Sequence, residues 1–223
     1  MNSSTVLNTI YFYTANLALV CLCINVVFCL VYRKKLSVPF RRLFYFLIWN
    51  LIIEILALSM YLGYNNLPLL HLYTLGEFML FSYLFKSLIQ KPSFFQRGFW
   101  YFVLGGSLLI VLNSVFVQNI YGFNTYAKTF VQITIIGYAV LYFYNLVENQ
   151  VFSPGVSKGL RLINSAIMVY YSGSLFIFMC SQISFGNDET YVIFWTFNAI
   201  LNFVFQLLIL LGLWKVFFKK KAL

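Results

Sequence analysis

The sequence predicts an all-α fold: a polytopic membrane protein of seven transmembrane helices, N-terminus outside and C-terminus cytoplasmic. Three observations carry this. Hydrophobic residues make up 62% of the 223 positions and charged ones only 9%, against about 25% charged in a soluble domain. Seven apolar runs of roughly 20 residues follow one another, each able to cross a hydrocarbon layer about 30 Å thick. All 15 basic residues except Lys128 fall in alternate loops or at span ends facing them, the asymmetry that an odd number of spans requires under the positive-inside rule.

The first span, Leu7 to Val31, follows "MNSSTVLNTIYFY", which has no basic n-region, and is too long for a signal-peptide core, so it is expected to stay uncleaved. Its Cys21, Cys23 and Cys29, with Cys180 in the sixth span, form no CxxC pair and read as small buried hydrophobes. Arg33, Lys34, Lys35, Arg41 and Arg42 precede the second span, Leu43 to Gly63. The turn "GYNNLP" leads into the third, Pro68 to Ile89, and "KPS" separates that from the fourth, Gly98 to Val117. Gly105, Gly106 and Ser107 there suit close helix contact. The fifth span is Tyr126 to Val147, with Lys128 assigned to the outer face beside Asp188 and Glu189. "SPG" precedes the sixth, Leu160 to Ile183, and the seventh is Tyr191 to Lys215. Lys86 and Lys215 are expected to snorkel toward the inner headgroups. His71 reads as a solvated residue at the outer end. With no linker or low-complexity stretch, residues 1–223 are expected to form a single domain.

The net charge of +10 is explained by topology and attraction to anionic lipid headgroups, so no nucleic-acid partner is expected. One histidine and dispersed cysteines leave no metal cluster, and no cofactor is expected. A lysine in the middle of the seventh span, needed for a retinal Schiff base, is missing. The terminal "KKAL" fits endoplasmic-reticulum retrieval if the source is eukaryotic; a bacterial inner membrane is the favoured location.

Chemistry is expected around two intramembrane carboxylates. Glu54 lies about 15 Å below the outer end of the second span and Glu77 about 12 Å below that of the third. Joined by a tight outer hairpin, they sit level and are expected to form an inward-facing pair, titrating as one coupled dyad. A charge at mid-span costs roughly 3 kcal/mol on insertion scales, so such residues face the bundle interior or a wet cavity. Asn50 lies one turn from Glu54, and Tyr73 one turn from Glu77. Trp195, Asn198, Asn202 and Gln206 make a helical stripe in the seventh span; Gln132 and the run Thr134, Tyr138, Tyr142 lie in the fifth, Tyr171 in the sixth, Asn16 in the first. The ligand-binding set is therefore Glu54, Glu77, Asn50, Tyr73, Asn198, Asn202, Trp195, Gln132 and Tyr171.

An outward-facing pocket of this kind suits binding, sensing or transport of a small polar or cationic solute or of protons, with membrane lipids as neighbours. Sensing requires a signalling or complex partner, since the chain carries no output domain. One alternative is an intramembrane lipid-modifying enzyme with the glutamates as acid and base, although no serine nucleophile with its base, metal cluster or phosphate-binding Gly loop is visible in the sequence. Another is a structural or accessory subunit in which the polar groups bond helices together.

Overall fold

The computed structural model describes residues 3–61, 65–90, 93–148, 154–184 and 188–218. Gly63 and Tyr64, which open the turn "GYNNLP", and the terminal "KKAL" lie outside the described residues. Among these residues there are seven α-helices: α1 (Ser3–Val31), α2 (Val38–Tyr61), α3 (Leu67–Lys86), α4 (Ser93–Leu112), α5 (Thr125–Glu148), α6 (Pro154–Ser184) and α7 (Asp188–Phe217). A 3-10 turn, Arg33–Lys35, links α1 to α2, and a π-helical turn, Asn113–Val117, extends α4. Six of the seven, all but α3, are long and apolar enough to cross a membrane.

The exception has a physical reason. His71, Thr74, Glu77 and Ser82 lower the hydropathy of α3, and all four are buried. With Phe78, Phe81 and Phe85 they occupy its inward face. A helix enclosed by its neighbours meets little lipid and can carry polar groups, provided that they are paired.

Contacts between helix ends establish an up-and-down bundle. At one end Tyr32 stacks on Phe217, the Arg42 guanidinium donates to the Tyr83 carbonyl at 2.5 Å, and the Lys86 ammonium lies 4.0 Å from the Trp100 ring centroid. That end gathers the described basic residues other than Lys128. At the opposite end Phe123 stacks on Trp195, Asn65 donates to the Tyr121 carbonyl, and the Thr196 hydroxyl reaches the Leu7 carbonyl.

The core is aromatic. Phe46, Phe81, Phe85, Tyr138, Tyr171 and Phe205 are almost fully enclosed, with Phe46 and Phe81 ring centroids 4.4 Å apart. Small residues let helices close on this core. A methyl group added at Gly106 would stand 2.5 Å from the Phe78 ring, whereas Gly105 faces open space. Of the two glycines in that run, only Gly106 serves close packing. Cys29 is fully buried, but Cys23 is exposed; all four cysteines are free.

Candidate functional site

The site begins with the buried stripe of α5. Lys128, Gln132, Ile135, Ala139 and Tyr142 recur every three or four residues and are all enclosed, the spacing of one helical face. Lys128 therefore points into the bundle, 1% exposed, and not into solvent at the end of α5. Its ammonium lies 2.6 Å from Oε2 of Glu77 on α3, which is itself 0% exposed. The Tyr171 hydroxyl on α6 donates to the other carboxylate oxygen, Oε1, at 2.8 Å. Three helices thus meet on one carboxylate. The rest of the Lys128 ammonium faces aromatic rings, 4.5 Å from the Tyr73 centroid and 5.2 Å from that of Phe178. Charge-assisted hydrogen bonds and ring faces together satisfy a cation that burial would otherwise penalise heavily.

Lys128 is also part of the wall of a cavity of about 410 Å³, within the size range of small-molecule sites. The cavity lies toward the end of the bundle poor in basic residues. Of the nine residues singled out in the sequence, Asn50, Glu54, Tyr73, Trp195, Asn198 and Asn202 line it. Tyr170, Phe178 and Phe205 add aromatic surface, Tyr170 stacking on Phe205 at 4.9 Å.

The other three expected residues stand behind this wall. Glu77 is engaged with both Lys128 and the Tyr171 hydroxyl, and the Gln132 amide donates to Ser174 Oγ at 2.8 Å. The two glutamates accordingly do not form the expected dyad. Antiparallel helices bring them to a similar depth, but Glu77 has turned to the α5 cation while Glu54, half-buried, lines the cavity. Among the described residues no side chain hydrogen-bonds or neutralises Glu54. The Asn198 Oδ1 atom beside it is also buried without a partner among the described residues.

Several other polar residues named from the sequence lie elsewhere. Gln206, last of the α7 stripe, meets Asn25 of α1, whose amide donates to its backbone carbonyl at 2.9 Å and its side-chain oxygen at 3.2 Å. Tyr138 contacts Ser82 at 3.2 Å, Thr134 bonds back to Phe130, and the exposed Asn16 bonds back to Phe12. These bonds join helices or cap their own turns. His71 is 5% exposed, not solvated: Nδ1 is 2.8 Å from Ser114 Oγ and Nε2 3.3 Å from the Gly122 carbonyl, tying α3 to the π-helical turn.

Lys128 was the residue most open to misreading from sequence, because its position three residues into α5 resembles a loop flank. The signal that it faces inward is its register with Gln132 and Ile135. Comparison with known protein families, curated proteins and solved structures finds no match for the chain.

Proposed function

We propose that this chain is a membrane-embedded binding or transport protein for a small organic cation, which enters from the outer side and is held by Glu54. The carrying observation is the unequal state of the two carboxylates. Glu77 is neutralised within the protein, whereas Glu54 lines the cavity with no cation partner among the described residues. A carboxylate in a low-dielectric cavity attracts an ammonium group strongly, and the rings of Trp195, Tyr170, Phe178 and Phe205 supply the faces that favour such a group. The amides of Asn50, Asn198 and Asn202 offer hydrogen bonds that fix its orientation.

In this reading the chain crosses an inner or plasma membrane seven times, α3 spanning it together with the six more apolar helices. Its 20 residues extend about 30 Å, and its polar groups are enclosed by neighbours. The basic end then faces the cytoplasm and the cavity the outside. An impermeant thiol reagent applied to intact cells should label a cysteine placed at Asn119 in a cysteine-free background and not one placed at Lys34; the reverse pattern inverts the topology.

Function is tested by thermal stabilisation of the detergent-purified chain with primary, tertiary and quaternary ammonium ions and their neutral isosteres. Ammonium ions should stabilise the wild type and lose that effect in Glu54→Gln. Equal stabilisation in the variant, or none in the wild type, overturns the reading.

A further inference from the structure

The charges around Glu54 do not balance. The cavity that it lines receives Tyr11 from α1, Tyr73 from α3, Lys128 from α5, Tyr170 from α6, and the amides of Asn198 and Asn202 from α7. The tyrosines carry no charge to offset a carboxylate, and Lys128 is already paired with Glu77. An ionised Glu54 in an empty cavity therefore leaves one negative charge without a counter-ion, which is costly inside a bilayer. One proton cancels it, and so does one monovalent cation. Both at once would leave a positive excess.

Hydrogen bonding leads to the same point independently. Oδ1 of Asn198, beside Glu54, is buried without a partner among the described residues. An amide oxygen and a carboxylate are both acceptors, so an ionised, empty site satisfies neither. A protonated Glu54 supplies the missing O–H donor, and a bound cation supplies a positive charge to both oxygens. Glu54 also lines a second space, of about 220 Å³, between α1, α2 and α7, again with Asn198 and Asn202. A water molecule needs roughly 15 Å³ and two to four polar partners, so this space suits water on one side of Glu54 while a ligand occupies the other.

We infer that Glu54 holds either one proton or one monovalent organic cation, so that the chain exchanges cation for proton. The inference rests on the cation-binding reading above and adds the counter-ion. When the cation arrives, the carboxyl O–H bond breaks with its electron pair left on the carboxylate. The proton passes to water on the α1–α7 side, and the ammonium ion pairs with the carboxylate. The reverse step reloads the proton and frees the cation. Since the empty, ionised form is the costly one, the exchange is one for one and leaves the net charge of the bundle unchanged.

The probe is tetramethylammonium, whose fixed charge ensures that any proton released on binding comes from the protein. It is titrated calorimetrically into the full chain in detergent from about pH 5 to about pH 9, at each pH in two buffers of different ionisation heat, which together report the protons released. Close to one proton should leave per cation bound at the acid end, where affinity should rise about tenfold per pH unit before levelling off. Infrared difference spectra on adding the cation should show the loss of a protonated-carboxyl band, absent from Glu54→Gln. Proton release with no change in that band would place the proton on another group and overturn the inference. Flat affinity with no proton released also overturns it; if binding is nevertheless lost in Glu54→Gln, the cation site stands without the exchange. If tetramethylammonium binds at no pH, both readings fall.

Discussion

Glu77 and Glu54 sit on adjacent helices at similar depth, yet they belong to different regions of the molecule. Around Glu77, α3, α5 and α6 are locked by an ion pair and a tyrosine hydroxyl, and the carboxylate has no exposure. Around Glu54, α2 and α7 stand back from one another, leaving space on both sides of the side chain. An intramembrane carboxylate is therefore no single kind of residue: a charge closed by protein partners joins helices, whereas one left facing a cavity is available to a ligand.

Breaking the closed region should have the largest effect. Lys128→Met leaves the Glu77 charge buried and unpaired and should lower stability by about 3–5 kcal/mol, while the double change Glu77→Leu, Lys128→Met should recover most of that loss. Denaturant unfolding in detergent micelles checks both, and a double variant no better than the single one would remove the ion-pair explanation. Next comes Tyr171→Phe, which deletes one hydrogen bond to a charged group and should lower stability by about 1.5–3 kcal/mol in the same assay.

The open region should respond in the opposite sense. Glu54→Gln should change stability by less than about 1 kcal/mol, because no protein partner is lost, but should weaken ammonium binding at least about tenfold by titration calorimetry. A large stability loss here would mean that Glu54 serves the fold as Glu77 does. Smallest of all is Asn16→Ala: its amide merely bonds back to Phe12 on an exposed face, so the unfolding midpoint should be indistinguishable from wild type.

Helix count, helix order and the segregation of basic residues were legible in the sequence because lipid imposes long apolar runs and headgroups impose charge asymmetry. Part of the cavity wall was legible too: Trp195, Asn198 and Asn202 fall on one helical face of α7 and Asn50 one turn from Glu54. The partner of Glu77 was not. Helical spacing shows which residues share a face of one helix but not which helices face each other, and α3 meets α5 across the bundle from the α2–α3 hairpin that suggested a dyad. His71 was misplaced for a similar reason, since its partners Ser114 and Gly122 come from a turn some 40 residues or more along the chain. The smaller space of about 220 Å³ beside Glu54, between α1, α2 and α7, had no sequence signal, because Ala15, Ala18 and Ala199 read equally well as tight packing.

At the basic end two glycines bring α6 and α7 together. A methyl group on Gly159 would lie 2.9 Å from the Gly212 carbonyl oxygen, so α6 and α7 meet there almost backbone to backbone. A rotation of α7 about that contact has a simple geometric consequence. Trp195 stands 17 residues up the lever arm from Gly212, roughly 25 Å away, so a tilt of α7 by about 5° about the glycine contact would sweep the Trp195 backbone through about 2 Å. Such a rotation would be larger at the cavity than at the basic end, and α7, which carries Trp195, Asn198 and Asn202 on a single rod, would widen or narrow that side of the cavity as a unit.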